Sequence, residues 1–184
     1  MIVVMFGAPG VGKGTQAAIA AERKGILHLS TGEAFRKAIA AETEMGKIAK
    51  SYVESGGLVP DEIVTGIVEE AISKPEYEKG AILDGFPRTL GQAKALDEML
   101  EKHGKSIAQI INITCDSEAI VERMLKRGRQ DDNEEIIRHR FKVYQEQTAP
   151  LLEYYASSGK MVDIDGNADV ETVYARIEEI FPKS

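Results

Sequence analysis

The chain has 184 residues, a hydrophobic content of 43% and a net charge of −7, with a pI near 5.1. A chain of this length can bury one substantial core, so we expect a single domain over residues 1–184 with small insertions. The acidic balance argues against a nucleic-acid-binding face, because overall repulsion opposes phosphate, and any anionic ligand must be held by local charges.

Signals for secretion or membrane insertion are missing from the sequence. The N-terminal run Ile2–Phe6 has no basic segment before it and reaches Gly7 too soon for a signal peptide, and no apolar run approaches the length of a membrane span. Cys115 is the only cysteine, so no internal disulfide can form, which fits a reducing compartment. We therefore expect a cytoplasmic protein without a membrane partner.

Short apolar runs alternate with longer helix-like stretches along the chain. The predicted strands are Ile2–Phe6, Ile26–Leu29, Ala81–Leu83, Gln109–Thr114 and Lys160–Ile164. The predicted helices cover residues 13–24, 31–41, 46–55, 61–73, 90–102, 117–127, 134–157 and 170–180. This alternation predicts an α/β fold, a doubly wound five-stranded parallel sheet, in which ligands bind at the carboxyl ends of the strands.

A glycine-rich segment, Gly7-Ala-Pro-Gly-Val-Gly-Lys-Gly-Thr15, directly follows the first predicted strand. Its spacing matches a P-loop, in which backbone N–H groups and a helix N-terminus bind phosphate while Lys13 reaches the outer phosphates. The alternative is a glycine-rich turn with a solvated lysine. Gly14 stands where most P-loops carry Ser or Thr, and the hydroxyl comes one residue later, so the sequence departs from the pattern that ligates magnesium directly.

This Lys-Gly-Thr variant resembles the loop of the nucleoside monophosphate kinases, and the adenylate kinases are the most similar of them. The likeness extends over almost the whole chain. The segments that carry it are His28–Arg36 (HLSTGEAFR), Gly57–Glu62 (GLVPDE), Leu83–Gln92 (LDGFPRTLGQ) and Arg127–Asp132 (RGRQDD).

The resemblance implies reversible phosphoryl transfer from MgATP to AMP, which yields two ADP. Residues 30–59 would form a helical AMP-binding insertion, in which arginines hold the phosphate and neutral residues frame the adenine. The AMP-binding residues that the resemblance implies are Thr31, Arg36, Leu58, Val59, Gly85, Arg88, Gln92, Arg129 and Arg140.

The resemblance also implies a donor site and a lid. The implied ATP-binding residues are Gly10, Val11, Gly12, Lys13, Gly14, Thr15, Arg123, Arg127 and Asn167, and the implied catalytic residues are Lys13, Arg88, Arg123, Arg129 and Arg140. Asp84 resembles the carboxylate that orients magnesium through water, without direct ligation. Residues 127–133 would be a short lid, and because it lacks the Cys/His set of zinc-binding long lids, no zinc is expected.

Phosphoryl transfer requires positioning and charge neutralisation, which makes a surplus of arginines informative. The acceptor is a phosphate that is already ionised, so no general base is needed, and the histidines are expected to be structural. Arg123 and Arg127 are four apart on a predicted helix and share a face. Arg138 and Arg140 lie on different sides of theirs, and we expect Arg138 to be solvated.

Several of these residues have simpler interpretations. Ser30-x-x-Glu33 and Thr89-x-x-Gln92 fit capping boxes, so Gln92 could serve only to begin a helix, or could do that and contact the base as well. Asp84 could be a turn residue, and the arginines between positions 123 and 140 could form a solvated face paired with nearby acids. Cys115 is expected to be a packed residue rather than a reactive thiol.

Three other functions are alternatives to AMP phosphorylation. UMP/CMP kinases share nearly all these motifs but typically carry Ala at the position of Thr31 and Asn-rich sequence after Gly-Phe-Pro-Arg, where this chain has Thr89 and Gln92. A GTP-dependent switch would show an Asn-Lys-x-Asp signature, which the sequence lacks. A small-metabolite kinase would end its loop in Lys-Ser/Thr. AMP is the favoured acceptor, and the resemblance implies a monomer with ATP, AMP and ADP as its small-molecule partners.

Overall fold

The computed structural model describes residues 1–128 and 132–182. Its strands are β1 (Ile2–Gly7), β2 (Leu27–Ser30), β3 (Ala81–Asp84), β4 (Ile107–Thr114) and β5 (Met161–Asp165). They form one five-stranded sheet in the order β2-β3-β1-β4-β5, and every adjacent pair is parallel. The predicted fold class and the five predicted strands are confirmed, with ends that shift by a residue or two.

The helices follow the predicted segments closely. They are α1 (Lys13–Lys24), α2 (Thr31–Ala40), α3 (Glu44–Ser55), α4 (Asp61–Ile72), α5 (Leu90–Lys102), α6 (Ser117–Arg127), α7 (Glu134–Val143), α8 (Pro150–Ala156) and α9 (Val170–Ile180). A short 3₁₀ turn, Pro75–Tyr77, follows α4.

The prediction of one continuous helix over residues 134–157 is wrong. A π-helical turn, Tyr144–Thr148, separates α7 from α8. Pro150 has no N–H to donate and its ring crowds the preceding turn, so the regular helical ladder cannot continue through it. The helical turn instead contains one more residue, and the N–H of Ala149 donates to the carbonyl of Tyr144, five residues earlier, at 2.8 Å.

Both faces of the sheet are buried, as a parallel sheet requires. In β1, the side chains of Val4 and Phe6 pack into a core shared with α4, α5 and α8. Val3 and Met5 point to the opposite face, where they pack against α1, α6 and α9. The strands therefore read as continuous apolar runs, and the polar residues that follow them collect at one edge of the sheet. Within the described ranges, no helix is long and apolar enough to cross a membrane.

Helices α2 and α3 lie between β2 and β3 in the chain and pack closely on each other. Thr43 caps α3, since its Oγ1 accepts from the N–H of Gly46 at 3.1 Å. A Cβ atom at Gly46 would overlap the carbonyl oxygen of Ala38 and lie 2.7 Å from the nitrogen of Ile39. The absence of a side chain at this position therefore sets how closely the two helices approach.

We predict that Gly46→Ala destabilises the protein by about 1–3 kcal/mol, because the added methyl group forces α2 and α3 apart. Gly66→Ala is the matched control, since Gly66 is exposed on α4 and a Cβ there meets nothing within 4 Å. The control should gain about 0.5–1 kcal/mol from the better helix former. Urea unfolding of the two variants and the parent measures both effects, and equal stabilities would contradict the prediction.

Candidate active site at the carboxyl edge of the sheet

The loops that follow β1, β2, β3 and β5 line one open cavity of about 780 Å³. Of the sequence-predicted site residues within the described ranges, the cavity is lined by Gly10, Val11, Gly12, Lys13, Gly14, Thr15, Thr31, Arg36, Leu58, Val59, Asp84, Gly85, Arg88, Gln92, Arg123, Arg127 and Arg140. Asn167 does not line it, although its neighbours Gly166 and Ala168 do. Arg129 lies outside the described residues.

The segment after β1 wraps tightly at the start of α1. Gly12 is the N-cap of α1 with φ 107°, a conformation that favours glycine. At Gly10, with φ 85°, a Cβ would press against the side chains of Met124 and Ile120 of α6. The two glycines thus let the loop turn and pack, which leaves the first N–H groups of α1 directed at the cavity.

Lys13 is held at the floor of this cavity by the loop itself. Its Nζ donates to the carbonyl oxygens of Gly7 at 2.7 Å and Ala8 at 2.9 Å. Burial lowers the pKa of the Lys13 ammonium to about 8, and the positive charges of Arg88 and Arg127 act in the same direction, while Asp84 opposes them. An anionic ligand beside Lys13 would stabilise the charged ammonium and raise this pKa.

Asp84 lies among these cations at the end of β3. Its Oδ2 accepts from Ser30 Oγ at 3.1 Å and lies 3.4 Å from His28 Nε2. Burial alone would raise the pKa of the carboxyl, but His28 and the positive charges of Lys13 and Arg88 outweigh burial, and the pKa is lowered. The carboxylate is therefore ionised at neutral pH. Its position among these cations goes beyond the hydrogen bonds that a turn residue needs.

Two further arginines, Arg88 and Arg36, line the cavity. Arg88 Nε donates to the carbonyl of Gly85 at 2.9 Å, and Thr31 Oγ1 donates to the same oxygen at 2.9 Å. Burial lowers the pKa of both Arg88 and Arg36, and Arg36 adds to the effect on Arg88 by repulsion. Within residues 1–128 and 132–182, Arg36 makes no ion pair, so its guanidinium is available to an anion.

Arg123 reaches the cavity from α6, and Arg127 on the same face of that helix lines it too, as predicted. Its NH2 donates to the carbonyl of Gly166 at 3.0 Å and its NH1 to that of Val11 at 3.4 Å. Backbone carbonyls hold the guanidinium in place without neutralising its charge.

Arg127 and Arg140 meet at a buried carboxylate. Arg127 makes a two-point pair with Asp132, from Nε at 2.8 Å and NH2 at 2.6 Å, and Arg140 NH1 lies 3.4 Å from the same residue. The side chain of Asp132 is fully buried. Arg138 points elsewhere and pairs with Glu134 on the exposed side of α7, which confirms that it is solvated.

The structure also settles how the two predicted caps are used. Ser30 Oγ accepts from Glu33 N at 3.4 Å and Thr89 Oγ1 accepts from Gln92 N at 3.1 Å, so both residues cap their helices. Gln92 lines the cavity at the same time. Capping and a place in the site therefore coexist.

Several contacts of the site were not found by sequence reasoning. Asp61 accepts hydrogen bonds from Thr89 and Gln92, and Thr148 Oγ1 donates to the carbonyl of Arg88 at 3.0 Å. No local pattern joins residues that are 28 to 60 positions apart. Asn167 Oδ1 accepts from Asp116 N at 3.1 Å and Cys115 Sγ at 3.0 Å, so its side chain braces two loops.

Comparisons with known proteins agree with the site. The family model described as "Adenylate kinase" matches residues 5–160. "Adenylate kinase 1" of Synechocystis sp. is 49% identical over 178 residues, which cover 97% of this chain and 95% of that protein.

Two further relatives extend the likeness beyond one organism. "Adenylate kinase" of Archaeoglobus fulgidus is 42% identical over 214 residues, which cover all of this chain and 99% of that protein, and "Adenylate kinase" of Bacillus subtilis is 40% identical over 211 residues, which cover 98% and 97%. Both alignments run over more positions than the 184 residues of this chain, so both relatives carry residues that have no counterpart here. The match to the family model and the near-complete coverage of its relatives show the family, and the phosphate loop facing a second cationic pocket agrees with them. The chain therefore belongs to the adenylate kinase family.

Proposed function

We propose that this enzyme transfers the γ-phosphoryl group of MgATP to AMP and releases two ADP, reversibly. The observation that carries the proposal is that the phosphate loop with Lys13 and the arginine pair Arg36 and Arg88 open onto the same cavity. An oxygen of the AMP phosphate attacks the γ-phosphorus as the bond to the bridging oxygen of ADP breaks. The attacking oxygen is already ionised, so no proton has to be removed.

The donor nucleotide binds, in this proposal, along the loop after β1. The backbone N–H groups of residues 10–15 and the start of α1 hold its phosphates, with Lys13 beneath them. Arg123 and Arg127 approach from α6, and the turn at Asn167 contacts the nucleoside through its backbone, because the side chain of Asn167 is already used between loops.

AMP binds in the pocket formed by the insertion, residues 30–59, and the loop after β3. Arg36 and Arg88 hold its phosphate, and Arg129 and Arg140 stabilise the charge that develops during transfer. The adenine is framed by Thr31, Leu58, Val59, Gly85 and Gln92, whose side chains or backbone line this end of the cavity.

Asp84 would orient magnesium through water, and the ion, bound with ATP, would neutralise charge on the transferring phosphates. The chemistry of the donor set fits this role. Asp84 is an ionised carboxylate, and a Cβ at Gly14 would lie 3.3 Å from its Oδ2, so the loop approaches it without offering a hydroxyl. Within the described ranges, no group of three or more His, Cys, Asp or Glu side chains could hold a metal ion.

The single domain, residues 1–184, closes over its substrates through the insertion and the short lid, residues 127–133. Closure excludes water, which would otherwise compete for the phosphoryl group. We propose that the working form is a monomer in the cytoplasm, a compartment in which the single cysteine, Cys115, would stay reduced.

The acceptor is tested by measuring ADP formation from ATP with AMP, CMP, UMP or GMP, with and without magnesium. We expect efficient ADP formation with AMP and a strong dependence on magnesium. Faster reaction with CMP or UMP than with AMP would assign the chain to pyrimidine nucleotides instead. GTP replacing ATP with equal efficiency would remove the donor assignment.

Lys13→Ala and Arg88→Ala should each lower kcat by about 100-fold or more, because each removes a buried positive charge from the transferring or accepting phosphate. The control is Arg138→Ala, which deletes an exposed arginine that pairs with Glu134 and should leave kcat unchanged. Circular dichroism checks that the fold is retained. Near-normal turnover of both active-site variants would contradict the proposed mechanism.

Nucleotide binding should also take up a proton near pH 8. The pKa of Lys13 is about 8 in the free protein, and an adjacent polyphosphate favours the charged ammonium, so the pKa rises on binding. With half of the lysine neutral at pH 8, uptake should be roughly half a proton per ATP, and affinity should fall as the pH rises further.

Calorimetric titration with ATP in buffers of different ionisation enthalpy measures this uptake. Lys13→Arg is the control, because arginine stays charged throughout this range and should show no uptake from this position. Equal proton uptake by the parent and by Lys13→Arg would show that Lys13 is not the titrating group.

A further inference from the structure

A carboxylate outside the phosphate-binding groups anchors the residue proposed to contact the base. Asp61, at the start of α4, accepts from Gln92 Nε2 on Oδ1 at 2.8 Å and from Thr89 Oγ1 on Oδ2 at 2.7 Å. The other end of the Gln92 amide, Oε1, accepts from the backbone N–H of Arg88 at 2.7 Å. The side chain of Gln92 is thus held at both ends, and the residue is 2% exposed.

The chemistry of these partners allows only one orientation of the Gln92 amide. A carboxylate accepts hydrogen bonds and cannot donate, so the group facing Asp61 must be the NH₂. A backbone N–H donates, so the group facing Arg88 must be the carbonyl oxygen. Turning the amide over would set oxygen against oxygen at one end and donor against donor at the other, each a buried unpaired polar contact.

From this arrangement we propose that Asp61 is a positioning residue that sets the selectivity for the acceptor base by holding the Gln92 amide in one orientation. The proposal rests on the function given above, in which Gln92 lies beside the base of AMP. Asp61 itself touches no substrate. It acts through Gln92, whose remaining Nε2 hydrogen and remaining Oε1 lone pair are left for a ligand.

The remaining N–H and carbonyl oxygen of Gln92, held in this orientation, can form hydrogen bonds with adenine and cannot do so with hypoxanthine. Adenine carries an amino donor at position 6 beside a ring-nitrogen acceptor, which complements a carbonyl oxygen and an N–H of the amide. Hypoxanthine has the same ring size but carries an acceptor oxygen at position 6 and a donor at N1. It would pair with the amide only if Gln92 turned over, which Asp61 and Arg88 prevent.

The carboxylate of Asp61 packs against Gly91, which has no side chain to displace it. A Cβ at Gly91 would lie 2.8 Å from Asp61 Oδ2, closer than such atoms pack, so alanine there must displace Asp61. Gly91 is near the start of α5, where alanine otherwise favours the helix. This position allows Asp61 to be moved without removing a functional group, which separates its positioning role from its charge.

The experiment compares kcat/KM for AMP with kcat/KM for inosine 5′-monophosphate in a set of variants, and the readout is the ratio of the two. Asp61→Leu and Gly91→Ala should lower the ratio by about tenfold, the cost of one lost bidentate base contact. Asp61→Asn should keep a ratio near that of the parent, since its Oδ1 can still accept from Gln92 while its amide donates to Thr89. Glu62→Gln, an exposed neighbour on α4, controls for charge.

The outcomes separate this inference from the proposed function. If Asp61→Leu and Gly91→Ala reduce kcat/KM for both acceptors by the same factor, Asp61 has a purely structural role and the inference is overturned. A ratio that falls in Asp61→Asn and Glu62→Gln as well would trace the effect to charge and overturn it too. If the parent enzyme forms no ADP from ATP and AMP, the proposed function itself fails.

Discussion

Positive charges that converge on one cavity are the constraint from which the rest of the site follows. Burial lowers the pKa of Lys13, Arg36 and Arg88, so each is more costly to keep charged in the folded protein than in water. Asp84 offsets part of this cost from the end of β3. The sheet and its helices hold these positive charges close together, and an anionic ligand would neutralise them. The favourable interaction with the ligand is binding energy that can be used for catalysis.

The cations are held mainly by groups that position them without cancelling their charge. Carbonyl oxygens of Gly7 and Ala8 hold Lys13, that of Gly85 holds Arg88, and that of Gly166 holds Arg123. A carbonyl fixes the direction of a donor and leaves the full charge for phosphate. Asp132 differs, because its buried carboxylate pairs with Arg127, and the proposed donor nucleotide would have to compete with it for that guanidinium.

Sequence reasoning found the strands and most helices because these signals are local, and the resemblance implied every lysine and arginine that the described residues bring to the cavity. A run such as Ile2–Phe6 followed by glycines marks a strand and a loop wherever it occurs. It failed at Pro150, where a helical pattern continues but the proline does not allow the regular ladder. Nor did it find that the side chain of Asn167, predicted to contact the nucleotide, braces the loops beside Cys115.

The order of strands and helices along the chain and the phosphate loop can be predicted from the sequence, since both depend on spacing, and the family resemblance implied the set of arginines. The partners that those residues meet depend on how the helices and strands pack. Asp61 and Gln92 are 31 positions apart, and the orientation of the amide follows from the packing of α4 against α5. Hydrogen bonds form between groups that folding brings within about 3 Å, and such proximity is a property of the packed chain, not of its order.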